Sequence, residues 1–103
     1  MWSILLLLLA PPVRHSATLT WVDDLNQRTA TYNIYKVEGT CADSSKMTMI
    51  ATDVVEKTFE DTDIKQNRTY AYIVRAVNWG EESLPSECVE GVVPRAGNEK
   101  ETK

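Results

Sequence analysis

The chain has 103 residues, a formal net charge of −4 at pH 7 and 43% hydrophobic residues. This length allows one domain with a modest core. An acidic chain without a basic block argues against a nucleic-acid-binding protein, which needs a clustered positive surface to displace counterions from phosphates.

Side chains that carry out catalysis or bind metals are few. The single histidine, His15, lies near the amino terminus, and the chain has no GxGxxG, GxxxxGK[ST], CxxC or HExxH motif. A nucleophile–base pair or a zinc site would need partners that His15 does not have. We therefore expect a noncatalytic protein with no cofactor and no metal, in which His15 is a surface residue.

The amino-terminal segment MWSILLLLLAPPVRHSA allows two interpretations. Its apolar run, Ile4–Ala10, is shorter than the roughly 20 residues that span a bilayer, but it matches the apolar part of a secretory signal peptide. His15-Ser16-Ala17 is an imperfect cleavage site. In the alternative interpretation, Leu5–Val13 forms the first strand of the domain or a linker into it. We assign residues 1–17 to a signal peptide or, alternatively, to a linker or strand A.

From residue 18 onward the sequence alternates with a period of two, which is typical of β-strands. In the run TATYNIYKV, Tyr32 and Ile34 face one side while Asn33 and Tyr35 face the other. The predicted strands, in chain order, are ATLTW, TATYNIYKV, KMTMIA, TFEDT, TYAYIVRAV and ECVEGVV. Several short strands at this spacing predict an antiparallel sandwich or barrel. The polar tail, residues 95–103, is predicted to be disordered.

Four stretches of the chain, in order, resemble the fibronectin type III family. They are LTW (Leu19–Trp21), YNIYK (Tyr32–Lys36), Ile64 followed six residues later by Tyr70, and the run YAYIVRAVNWGEESLPS. In the family these correspond to the tryptophan of strand B, the paired residues of strand C, the corner before strand F, and strand F with its following loop. The run RHSATLTW is similar to the variant found in bacterial surface proteins and secreted enzymes.

The resemblance implies an all-β fold, an antiparallel immunoglobulin-like sandwich of about seven strands over residues 18–94, with strand A short or incomplete. Each sheet of such a sandwich buries one face. Tyr70 would be a tyrosine corner, with its hydroxyl bonded to the backbone upstream. The remaining core residues would be Trp21, Tyr32, Ile34, Phe59, Ile64, Tyr72, Val74 and Ala76.

The alternation breaks after Val77, where the predicted F–G loop begins and Gly80 supplies the turn. The resemblance places this loop at one end of the sandwich with the B–C and C′–E loops, an end at which related folds bind ligands. A patch for a sugar or a protein there would contain Trp79, Glu81, Glu82, Asp23, Asp24 and Asn26. The alternative, which the sequence favours, is that Trp79 packs over Leu84 or Pro85 and caps the core.

The two cysteines, Cys41 in the predicted C–C′ loop and Cys88 early in the last strand, are candidates for one disulfide in an exported domain. Their strands are not neighbours, so the loop would have to reach across, and two separate cysteines remain the alternative. Asn67-Arg68-Thr69 is a glycosylation sequon in the E–F turn, with meaning only in a eukaryotic secretory route.

Together with the resemblance, these features predict a secreted or cell-surface module for protein–protein interaction, adhesion or spacing of domains. The alternative is a carbohydrate-binding accessory module of a secreted enzyme, with Trp79 and Tyr35 as its aromatic surface. We expect a protein or polysaccharide partner, no nucleic acid, contact with a membrane only through export, and a monomeric domain.

Overall fold

The structure, a computed structural model, describes residues 2–9, 16–23 and 30–94. One short 3₁₀ helix, Cys41–Lys46, accompanies the strands of this part of the chain. The strands are β1 (Trp2–Leu9), β2 (Ser16–Asp23), β3 (Thr31–Glu38), β4 (Thr48–Val54), β5 (Thr58–Asp61), β6 (Thr69–Asn78), β7 (Glu81–Glu82) and β8 (Val89–Val92).

The strands form two antiparallel sheets that pack face to face. One sheet has the order β1-β2-β5, and the other has the order β4-β3-β6, with β7 and β8 both paired to the free side of β6. These sheets correspond to strands A-B-E and C′-C-F-G of an immunoglobulin-like sandwich, in which strand G is split into β7 and β8. The predicted all-β, antiparallel fold class is confirmed.

Strand A differs from the sequence prediction, which made it short or incomplete. In the structure β1 pairs with β2 over all eight residues of each strand, and Leu6 packs against the core. The leucine-rich run can do this because it supplies both a continuous backbone ladder and an apolar side chain over the core. The observed strand, Trp2–Leu9, corresponds to the alternative interpretation of the amino terminus, with bounds shifted from Leu5–Val13.

The core forms where the two sheets face each other. Trp21 of β2 and Tyr32 of β3 meet edge to face across the sandwich, with ring centroids 5.4 Å apart, a favourable aromatic geometry. Phe59 is only partly buried against the core. The buried cluster among the described residues consists of Ala17, Leu19, Trp21, Ala30, Tyr32, Ile34, Ile64, Tyr70, Tyr72, Val74, Ala76 and Val93.

Tyr70 has the geometry of the tyrosine corner that the resemblance implies. Its ring is buried, and its hydroxyl accepts a hydrogen bond from the Lys65 N–H at 3.0 Å. Tyr70→Phe would leave that N–H without its acceptor, so we expect the free energy of unfolding to fall by about 1–3 kcal/mol. Urea denaturation measures the change, and a midpoint equal to that of the wild type would reject the assignment.

Strand G is interrupted between β7 and β8, but the backbone groups of β6 that face this gap still form hydrogen bonds. Ser83 and Ser86 donate their N–H groups to the carbonyls of Ala76 and Val74, at 2.7 and 2.8 Å. Their hydroxyls accept from the N–H groups of the same two residues, at 3.0 and 2.9 Å. The serine side chains thus replace the carbonyls of a regular ladder, and Pro85, which has no N–H to donate, is accommodated between them.

Candidate functional site

The F–G turn lies at one end of the sandwich, which we call the apical end. The described part of the apical end consists of Asp23 at the end of β2, the connection 55–57 between β4 and β5, and the turn 79–80 between β6 and β7. Strand register brings these together, since Val77 lies opposite Thr31 and the end of β4 lies opposite the start of β3. The predicted site residues Asp24 and Asn26 lie outside the described residues.

A two-residue turn, Trp79–Gly80, joins β6 to β7, because Asn78 pairs with Glu81. Both turn residues have positive φ, 55° at Trp79 and 80° at Gly80, as in a type I′ turn. Glycine, asparagine or aspartate normally occupies such positions, since a left-handed backbone costs other residues roughly 1–2 kcal/mol. Trp79 is therefore a strained choice for the first position of this turn.

Trp79 is 93% exposed, which corrects the interpretation that the sequence favoured. It does not pack over Leu84 or Pro85, and Leu84 is itself 83% exposed. The reason is geometric, because the turn projects beyond the last paired residues of β6 and β7, where no described strand can cover the indole. A further apolar side chain at the apical end, Val55, is 70% exposed.

Glu82 anchors the turn to the outer face of the sheet. Its Oε2 accepts a hydrogen bond from Asn33 Nδ2 at 2.6 Å and another from the Tyr35 hydroxyl, while its Oε1 lies 3.9 Å from Arg75 Nε. The hydrogen bonds from Tyr35 and Asn33 lower the pKa of Glu82. The bond between Tyr35 and Glu82 also raises the pKa of Tyr35. Both glutamates of β7 are exposed, but Glu82 is held against the sheet by these contacts.

The same network extends over three more strands. Asn33 was predicted to face outward. It lies on that face but is buried, and its Oδ1 accepts a hydrogen bond from the Thr52 hydroxyl at 2.7 Å. Arg75 donates to the Ser83 carbonyl at 2.9 Å, and its guanidinium lies 5.8 Å from the ring centroid of Tyr35. These contacts connect β4, β3 and β6 to β7 and give the turn a rigid base.

Asp23, at the end of β2, is close to the core. Its Oδ2 lies 3.4 Å from the hydroxyl of Tyr32, which donates to it. Burial, together with the charge of Asp23 and this bond, raises the pKa of Tyr32 to about 12. The structure therefore gives Asp23 a contact with the core as well as a place at the apical end.

A second polar cluster, which sequence reasoning missed, joins the two sheets away from the apical end. Lys36 Nζ lies 2.8 Å from Asp61 Oδ2, with side-chain exposures of 11% and 6%, and the Tyr72 hydroxyl donates to the same oxygen at 2.7 Å. The alternation that places Tyr32 and Ile34 in the core also places Lys36 on the inward side of β3. The sequence pattern therefore contained a signal that Lys36 is buried. The Asp61 carboxylate thus accepts from both donors, and Lys36 also donates to the Asp63 carbonyl at 2.6 Å, which favours a structural role.

The predicted disulfide is confirmed between Cys41 and Cys88, whose Cα atoms are 5.9 Å apart. Cys41 is the first residue of the 3₁₀ helix, which lies against β3 and β6. This position brings Cys41 within reach of Cys88, although the strands that flank the two cysteines are not neighbours. The Cys41 N–H also donates to Glu90 Oε1 at 2.7 Å. Thr40 caps the helix and accepts a hydrogen bond from the Ala42 N–H at 3.2 Å.

Three further sequence expectations concern sites other than the apical end. Asn67, the sequon residue, is exposed in the turn before β6 with φ of 64°. Within residues 2–9, 16–23 and 30–94, no group of histidine, cysteine, aspartate or glutamate side chains is arranged to hold a metal ion. No helix in this part of the chain has the length and apolar character needed to cross a membrane. His15 and the tail 95–103 lie outside the described residues.

Known structures share this architecture. A Fn3-like protein from Clostridium thermocellum matches with a TM-score of 0.68 and 26% identity, over 87% of this chain and 88% of that one. Pectate lyase PelI from Erwinia chrysanthemi matches with a TM-score of 0.69 and 22% identity, over 87% of this chain and 28% of the enzyme chain. A domain of human fibronectin type III domain containing protein 3 matches with a TM-score of 0.68 and 19% identity, over 94% and 88% of the two chains.

No protein-family model and no curated protein sequence matches the chain significantly. The evidence from known proteins is therefore structural, and it concerns the fold. The chain has the fold of a fibronectin type III domain.

Proposed function

We propose that this chain is a noncatalytic, extracellular module that binds a protein partner through its apical end, with Trp79 as the central contact. The observation that carries the proposal is the combination of strain and exposure at one residue. The positive φ of Trp79 costs about 1–2 kcal/mol, and its exposed indole gains nothing from burial within the domain. A buried indole at an interface recovers that gain, and tryptophan is enriched among residues that dominate binding.

The surroundings of Trp79 support a binding role. The Glu82 network fixes the turn to the sheet beneath it, so less conformational entropy is lost when a partner docks. An extracellular location is supported by the Cys41–Cys88 disulfide, because such bonds persist in oxidising compartments.

Carbohydrate binding is the weaker candidate because of the state of Tyr35. A sugar-binding surface usually combines several aromatic rings, and Tyr35 was the expected second ring beside Trp79. In the structure its hydroxyl is bonded to Glu82, and the Arg75 guanidinium lies 5.8 Å from its ring centroid. A sugar would have to displace these contacts in order to stack on Tyr35.

Affinity capture with matched variants tests the proposal. The immobilised wild-type domain is compared with Trp79→Asn, which suits the type I′ turn, and with Val92→Ser, which changes an exposed apolar residue on β8. We expect wild type and Val92→Ser to capture the same partner from the organism's extracellular fraction, and Trp79→Asn to bind it about thirtyfold more weakly. Equal binding by all three proteins would contradict the proposal, and Trp79-dependent binding on a glycan array would favour carbohydrate instead.

A further inference from the structure

We infer that the partner presents a cationic surface, with an arginine or lysine side chain that stacks on the indole of Trp79 inside an acidic rim. This inference deepens the proposed function and rests on it. It assigns the chemistry of the partner, which the shape of the turn alone does not give.

Exposed carboxylates share the apical end of the sandwich with Trp79. Asp53, Glu56 and Glu81 are all exposed there, and none of them forms an ion pair with another described residue. Lys57 is the one cationic side chain in the connection 55–57. Among the described residues that are exposed at this end, carboxylates therefore outnumber cations.

The opposite end of the sandwich has a different balance. Two of its cations are paired, Lys36 with Asp61 at 2.8 Å and Arg68 with Glu38 at 2.6 Å. Lys46 and Lys65 are exposed at the same end. Among the described residues of that end, cations nearly balance the carboxylates, which are Glu38, Asp43, Asp61, Asp63 and Glu90. The excess of carboxylates over cations is therefore larger at the apical end.

An exposed indole within an acidic rim favours a cationic ligand for two reasons. The face of tryptophan attracts guanidinium and ammonium groups through its quadrupole, and the surrounding carboxylates add a field that draws the same groups to the site. The rim repels an acidic polysaccharide or a nucleic acid. It also repels the apical end of a second copy of this chain, since the two surfaces carry charge of the same sign.

Selection from a phage-displayed library of random peptides tests the inference. The library is selected on the immobilised wild-type domain and depleted on the Trp79→Asn variant, which removes peptides that bind elsewhere. We expect the surviving peptides to be enriched in arginine and lysine. Their binding should weaken as salt is raised, because the Debye length falls to about 3 Å near 1 M.

Charge reversal provides the matched comparison. Glu81→Lys should weaken the selected peptides about tenfold or more, because like charges oppose each other across an interface. Glu60→Lys makes the same change in net charge at an exposed position of β5 and should leave binding unchanged. Trp79-dependent peptides that are neutral or acidic would overturn this inference and leave the proposed function standing, whereas the absence of any Trp79-dependent peptide would overturn both.

Discussion

Replacement of Asp61 by alanine is expected to lower the free energy of unfolding by about 3–5 kcal/mol. The Asp61 carboxylate accepts hydrogen bonds from the Tyr72 hydroxyl and the Asp63 N–H, at 2.7 and 3.0 Å, and pairs with Lys36 at 2.8 Å. Without it, the largely buried Lys36 ammonium loses its counterion. An uncompensated charge near the core costs far more than the net value of the pair.

Two variants show whether the loss comes from the stranded charge. Lys36→Met in the Asp61→Ala background removes the ammonium group that Asp61→Ala leaves without a counterion. This double variant should recover part of the lost stability, because it contains no unpaired buried charge. Glu60→Ala, at the exposed neighbouring position, should change the free energy of unfolding by no more than about 0.5 kcal/mol. Urea denaturation measures all three, and a small effect of Asp61→Ala, equal to that of Glu60→Ala, would contradict the account.

Acid should weaken the same cluster. Burial alone would raise the pKa of Asp61, but the hydrogen bonds from Lys36 and Tyr72 outweigh it and hold the pKa below its usual value. A carboxylate with a lowered folded pKa stabilises the protein above the unfolded value of about 3.9, and this stability is lost as the pH falls through the folded pKa. Urea midpoints of wild type and Asp61→Asn should therefore converge in strong acid, and a constant difference would exclude this linkage.

Removal of the Cys41–Cys88 disulfide is expected to cost about 4 kcal/mol by the loop-entropy relation for a separation of 47 residues. A loss of this size matters because a domain of this length is only marginally stable from burial alone. The Cys41→Ala/Cys88→Ala variant should unfold at a lower urea concentration than the oxidised wild type, and reductant should reproduce the shift. Two reactive thiols in the folded, exported wild-type protein would contradict the bond.

The residues that alternate in the longest strands were the most predictable part of the fold. In TYAYIVRAV and TATYNIYKV, a period of two identifies the buried face directly, because successive side chains point to opposite sides of a strand. The same rule implies a buried face for Lys36, although we did not draw that inference from the sequence, and its partner Asp61 lies 25 positions later in the other sheet. A pairing across two sheets depends on the tertiary fold, which no local pattern contains.

The candidate site was less predictable because its exposure depends on turn geometry. The sequence located Trp79 in the F–G loop, but whether the indole folds back or projects depends on the register of Asn78 with Glu81. That register produces a two-residue turn with positive φ, although tryptophan is an unfavourable residue there. The disulfide was similarly undecided, since the 3₁₀ helix that carries Cys41 toward Cys88 was not predicted from a loop-like composition.

The central claim is that Trp79 serves contact with a partner and contributes nothing to the stability of the fold. The free energy of unfolding of Trp79→Asn tests this claim most directly, because asparagine relieves the strain at the positive φ without opening a cavity. The account predicts an increase of about 1 kcal/mol over wild type. A decrease of about 3–5 kcal/mol, the size expected for Trp21→Ala in the packed core, would show that Trp79 is a core residue and would contradict the account.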